Sequence, residues 1–122
     1  MKEYSFEKLD VWSDIRDVIK SIYALTKKFP EDEKFGLVSQ MRRSAISIGS
    51  NIAEGTGRNT MKDQAYFSQV AYSSLLELLA QLTVSIDLGF IDEEKYVKLR
   101  QKIESTSYKI NALRNSQLRR QK

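Results

Sequence analysis

The chain has 122 residues, 20 Lys and Arg against 16 Asp and Glu, and a formal charge of +4. It contains no Cys and no His, which removes disulfides, thiolate nucleophiles, Cys or His metal sites and every Ser-His or Cys-His mechanism. The length suits one domain with a genuine core.

The first predicted element spans residues 8–29. Val11, Ile15, Val18, Ile22, Leu25 and Phe29 recur at spacings of four and three, the stripe of an amphipathic helix. Trp12, Ile19 and Tyr23 widen it. Pro30 disfavours helical geometry at Phe29 and marks a break. It can open a new turn, with Glu31, Asp32 and Glu33 where a helix dipole favours acids.

The second element spans residues 36–55, with Leu37, Met41, Ala45, Ile48 and Ile52 on one face. Gly55 and Gly57 are expected to end it through the left-handed conformation open to glycine. Gly49, inside this helix, implies a kink or the close approach of another helix.

The third element spans residues 61–88. Thr60 is its expected N-cap, with Asp63 three residues on. Phe67, Ala71, Ser74, Leu78 and Leu82 form one stripe, and Val70, Leu75, Leu79 and Ile86 extend the apolar surface. Such a helix is expected to be covered on more than one side, by its own bundle and by an oligomer interface. Gly89 should stop it. The fourth element, residues 92–118, begins at the N-cap Asp92. Its stripe runs Tyr96, Leu99, Ile103, Thr106, Ile110, Leu113 and Gln117.

No segment alternates with a period of two, and no hairpin turn signature occurs. Four helices with short connections predict an all-α fold, an antiparallel up-down-up-down four-helix bundle in a single domain over residues 1–122. No signal-peptide run or membrane-length apolar stretch is present in the sequence, so a soluble cytoplasmic protein is expected.

The modest total charge hides segregation. Residues 1–33 carry a net −2, 34–62 carry +4, 63–108 carry −3 and 109–122 carry +5. Arg114, Arg119, Arg120 and Lys122 have no acid three or four residues away, so pairs within the helix do not account for them. Phosphate contacts would, through counterion release, and with Lys109 these residues are the expected phosphate contacts. With few aromatics interleaved, the pattern suits backbone electrostatics better than base stacking. Arg42, Arg43, Arg58 and Lys62, with Lys34, form the other basic block. Arg42 and Arg43 are adjacent and project about 100° apart, so one can turn inward while the other faces solvent. A tight polar contact between helices, aided by Ser44, Ser47 and Ser50, suits this patch as well as a ligand does.

Other chemistry is poorly supplied. Gly55-Thr56-Gly57-Arg58 follows a helix and lacks the ending of a phosphate loop. Glu54 and Glu77 are isolated carboxylates, and bundle di-metal sites pair Glu with His. With Asn51, they are expected to form a structural polar network, a buried carboxylate pairing with Arg42, Arg43 or Arg58. No catalytic residue, metal or cofactor is expected.

The residues also carry a family resemblance. Phe6-Glu7-Lys8-Leu9-Asp10-Val11-Trp12, Phe29-Pro30 with Glu33, and the long string from Gly36 to Gly55 with Arg58 beyond resemble the bacterial four-helix-bundle proteins encoded in intervening sequences of 23S rRNA genes, also labelled S23 ribosomal proteins. Ala71, Ser74-Leu75, Glu77-Leu78, Gln81-Leu82 and Leu88-Gly89-Phe90-Ile91 are similar to that family's third-helix pattern. The chain departs from the pattern at Gly49, where Pro is usual, at Ser73 for Gly, and at Leu79 for Glu. The resemblance implies a homopentamer and similarity to the accessory variability determinant of diversity-generating retroelements, a basic pentamer that binds nucleic acid and a reverse transcriptase. The expected function is therefore non-catalytic binding of RNA or another nucleic acid by a homo-oligomer. The alternative is a protein–protein scaffold docking an acidic partner such as a reverse transcriptase or ribosomal component.

Overall fold

The computed structural model describes residues 1–120 and holds four α-helices: α1 Asp10–Thr26, α2 Leu37–Thr56, α3 Met61–Asp87 and α4 Glu93–Arg119. Two short 3-10 turns, Ser5–Lys8 and Glu31–Glu33, precede α1 and α2. No strand occurs among the described residues.

The first helix is shorter than the predicted 8–29. Leu9 is extended, with φ −72° and ψ 133°, so α1 starts only at Asp10. The preceding turn folds back and sets Phe6 edge-on against Trp12, with ring centroids 4.7 Å apart. At the other end, Pro30 keeps Phe29 out of the helix. The amides of Lys28 and Phe29 bond to the carbonyls three residues back, at 3.2 and 3.1 Å, and close a tightened final turn. Phe29 is still buried, against Phe90 at 5.4 Å.

The start of α2 is capped from upstream. Gly36 has no side chain to offer, and the carboxylate of Glu33 accepts the Leu37 amide at 3.1 Å. The expected left-handed stop at its other end is not found. Gly57 has φ −88°, and Gly55 lies inside the helix. Gly55 instead answers to packing, since a Cβ there would stand 3.1 Å from Cβ of Phe67 on α3.

The other caps follow the local chemistry. Thr60 accepts the Asp63 amide at 3.1 Å, and Asp92 accepts the Lys95 amide at 2.8 Å. Gly89, at φ +77°, closes α3. The amides of Gly89 and Phe90 reach the carbonyls of Ile86 and Ser85, both at 3.0 Å, which is the doubly bonded helix stop that glycine permits.

Both α1 and α3 pack against α2 and α4, while the diagonal pairs do not approach. The result is an antiparallel four-helix bundle. Its centre holds Ile15, Ile22, Met41, Ile48, Leu78, Leu82, Ile103 and Ile110, each almost fully removed from water. Tyr66, Leu76 and Val84 on the outward face of α3 stay exposed in the single chain.

Candidate nucleic-acid interface

Antiparallel packing brings the end of α2, the start of α3 and the end of α4 to one end of the bundle. A buried hydrogen bond fixes this arrangement: Ser68 on α3 donates to Gln117 on α4 at 2.7 Å. Arg58, Lys62, Arg114, Arg119 and Arg120 therefore gather at that end, although the sequence scatters them over more than half the chain. Lys122 lies outside the described residues.

These cations are not equivalent. Arg58 is held in place: it pairs with Glu54 at 3.0 Å and lies 4.6 Å over the Phe67 ring. Gln64 donates to its backbone carbonyl at 3.1 Å. The Arg58–Glu54 pair is half exposed on both sides, so it contributes little to stability. Lys62, Arg114, Arg119 and Arg120 enter no ion pair among the described residues.

Arg42 and Arg43 lie toward the opposite end, about 22 Å from Arg58 along α2 at 1.5 Å per residue. Arg42 turns inward. Its Nε donates to Thr26 Oγ1 at 2.9 Å, and its guanidinium lies 4.6 Å over the Tyr23 ring. It thus secures the C-terminal turn of α1, where a cation also suits the helix dipole. Arg43 faces solvent and donates to Gln40.

The buried carboxylate–arginine network does not form. Glu77 is exposed and accepts from Ser44 Oγ at 2.8 Å, while Glu54 pairs with Arg58 at the surface. Asn51 donates to the Ser47 carbonyl at 2.9 Å, and Ser47 bonds Ser74 across the seam at 2.8 Å. The reason is steric. Serines let α2 and α3 approach closely, and that spacing favours short hydroxyl contacts over a long guanidinium.

Lys109 is also committed elsewhere. Its ammonium sits 2.6 Å from Asp14 and 3.2 Å from Asp10 on α1, so a phosphate there would compete with two carboxylates. Lys102 pairs with Asp17 at 3.1 Å on the same seam. The hydrogen bonds to Asp14 and Asp10 hold the Lys109 ammonium above the ordinary lysine range. A raised folded-state value means the contact contributes fully below the ordinary lysine pKa and is lost as pH climbs through the raised one. Denaturant titrations should therefore show a stability loss in the strongly alkaline range that shrinks in the Asp10→Asn/Asp14→Asn variant. An unchanged alkaline limb would refute the coupling.

Sequence reasoning overlooked Lys28, Lys95, Lys98 and Lys102. The net −3 of residues 63–108 conceals three of them, yet Lys95, Lys98 and Lys102 follow spacings of three and four and share a helix face. Among the described residues no cluster of three acids is placed to hold a metal, and no helix is long and apolar enough to cross a membrane.

Comparison with known proteins agrees with the fold and names a family. The family model described as 23S rRNA-intervening sequence protein matches residues 7–112. A crystal structure of a protein of unknown function from the S23 ribosomal protein family of Bacteroides thetaiotaomicron superposes with a TM-score of 0.78 at 22% identity. The alignment covers 84% of this chain and 96% of that one. No curated protein matches the sequence. Neither match names a catalytic activity. With most of its length matched by the family model, the chain belongs to the 23S rRNA-intervening sequence protein family.

Proposed function

We propose that this protein is a non-catalytic, homo-oligomeric RNA-binding protein of the bacterial cytoplasm, acting in the context of 23S rRNA intervening sequences. One observation carries the reading: Lys62, Arg114, Arg119 and Arg120 share one end of the bundle without an ion pair among the described residues. Arg58 adds a fifth, tethered charge. Such a surface binds the phosphate backbone and positions it without reading bases.

The uncovered apolar residues of α3, Tyr66, Leu76 and Val84, support assembly with further copies of the chain. A ring of five copies, the number the family resemblance implies, would repeat the basic end five times. Native mass spectrometry measures that number directly.

The test is binding of a structured RNA over a salt series. About four phosphate contacts per chain predict a log–log salt slope on the order of −3 to −4 per site. No measurable affinity at low salt, or a slope near zero, would reject the reading. Association with a protein partner that persists after nuclease treatment would favour an acidic protein surface as the true ligand.

A further inference from the structure

The seam between α1 and α4 changes character along its length. On α1, the residues facing α4 read Asp10, Asp14, Asp17, then Ser21 and Ala24, with Lys28 following in the turn after the helix. The carboxylates answer Lys109 and Lys102 on α4. Beyond Asp17 the acids stop, but the lysines of α4 continue with Lys98 and Lys95. There the two helices frame an open cleft of about 330 Å³.

Lys28, Lys95, Lys98 and Lys102 rim this cleft over a floor that includes Leu25 and Leu99, and no carboxylate lines it. Only Lys102 has a charge partner, Asp17, and its ammonium also lies 3.3 Å from the Ser21 hydroxyl. Lys28, Lys95 and Lys98 enter no ion pair among the described residues. Lys95 sits in the first turn of α4, directly after Asp92, Glu93 and Glu94, none of which lines the cleft. Solvated surface lysines are commonly interspersed with acids, as they are farther along this same seam. A cation-only stretch around a concave, partly apolar cleft is a different arrangement. It concentrates positive potential that a compact polyanion would relieve.

We propose that this cleft binds a short run of adjacent phosphate groups, as in inorganic polyphosphate or the triphosphate of a nucleotide. Lys28, Lys95 and Lys98 supply the ammonium contacts, and Lys102 stays anchored by Asp17. Ser21 offers a hydroxyl at the inner wall. The site is separate from the RNA-binding end, since Lys95 lies about 36 Å from Arg119 along α4. It stands or falls independently of the RNA reading.

The experiment is isothermal titration of the full-length protein with inorganic tripolyphosphate and, separately, with ATP, both free of magnesium. One saturable site per chain is expected. Lys95→Gln should weaken it about tenfold, the loss of one charge-assisted contact, and Lys95→Gln/Lys98→Gln further still. Arg119→Gln/Arg120→Gln should leave it within about twofold, because those charges lie far beyond a Debye length. Equal affinity for both probes identifies the phosphate run alone as the ligand, and tighter ATP binding adds a contact of the nucleoside with the apolar floor. Either result upholds the site. Absence of saturable binding by both probes, or an equal loss in the Arg119→Gln/Arg120→Gln protein, overturns it. Lys95 and Lys98 are exposed, and circular dichroism of each variant verifies that the helices persist.

Discussion

Leucine at position 49 should lower the stability of the protein by about 3 kcal/mol, at the upper end of what overpacking costs, whereas alanine should change it by less than about 1 kcal/mol. Gly49 is buried in α2 beneath side chains of α1. A Cβ built there would meet Ile15 Cγ2 at 3.3 Å, and Ile19 Cδ1 and Trp12 Cζ3 each at 3.5 Å. For alanine, two effects of similar size oppose each other. The helix gains about 1 kcal/mol of propensity, and the Cγ2 methyl of buried Ile15, fixed to its branched Cβ, must retreat by a few tenths of an ångström. For leucine, three further carbons have nowhere to go but into α1. In thermal unfolding, the leucine variant should melt about 12 °C lower, at roughly 4 °C per kcal/mol for a domain of this size. A leucine variant as stable as the parent would show that α1 does not press on α2 as described. The same experiment separates the two sequence readings of Gly49, because a glycine serving a kink would not oppose side chains from another helix.

The second large effect is expected on RNA. Replacing Arg114, Arg119 and Arg120 together by Gln should weaken binding at low salt by about 10² to 10³-fold, if each removes one charge-assisted phosphate contact. The magnitude of the log–log salt slope should fall by about 3 at the same time, because each lost contact leaves its counterions in place. Arg42→Gln is the matched control. It removes the same formal charge, but from a side chain bound to Thr26 and stacked on Tyr23, so it should lower stability and leave the salt slope unchanged. A triple variant that binds with the parent's slope, or an Arg42→Gln protein that loses slope as the triple does, would relocate the interface. Circular dichroism of the triple variant guards against a trivial loss through fraying of α4, which the Ser68–Gln117 bond should prevent.

The legible parts of this protein are those whose interactions are short in sequence. Thr60 and Asp92 cap helices through bonds to amides three residues away, and Gly89 ends α3 within its own turn. The stripes of α1 to α4 announce their buried faces because a helix returns to the same side every 3.6 residues. The misread glycines show where this stops. Gly57 was expected to turn left-handed and does not, and Gly55 is explained by Phe67, twelve residues further on and in the next helix. A glycine that serves a turn and one that admits a neighbour look alike in a sequence.

The candidate site divides along the same line. Lys109 has no acid three or four residues away on its own helix, yet Asp10 and Asp14 reach it from α1, at the far end of the chain. Glu77 looked like a buried carboxylate and proved to be an exposed one, bonded to Ser44. Lys95, Lys98 and Lys102 of the α1–α4 cleft were hidden by averaging charge over a long block that also contains seven acids. By itself the sequence determined that the protein is four helices, where they begin and stop to within a few residues, and that basic and acidic residues are segregated along it. Helix caps, stripes and stops act over one or two turns, so they are written locally. Only the tertiary structure decided which cations are already neutralised and which remain available. The Coulomb partner of a residue on one helix usually sits on another, and distance along the chain says nothing of distance in space.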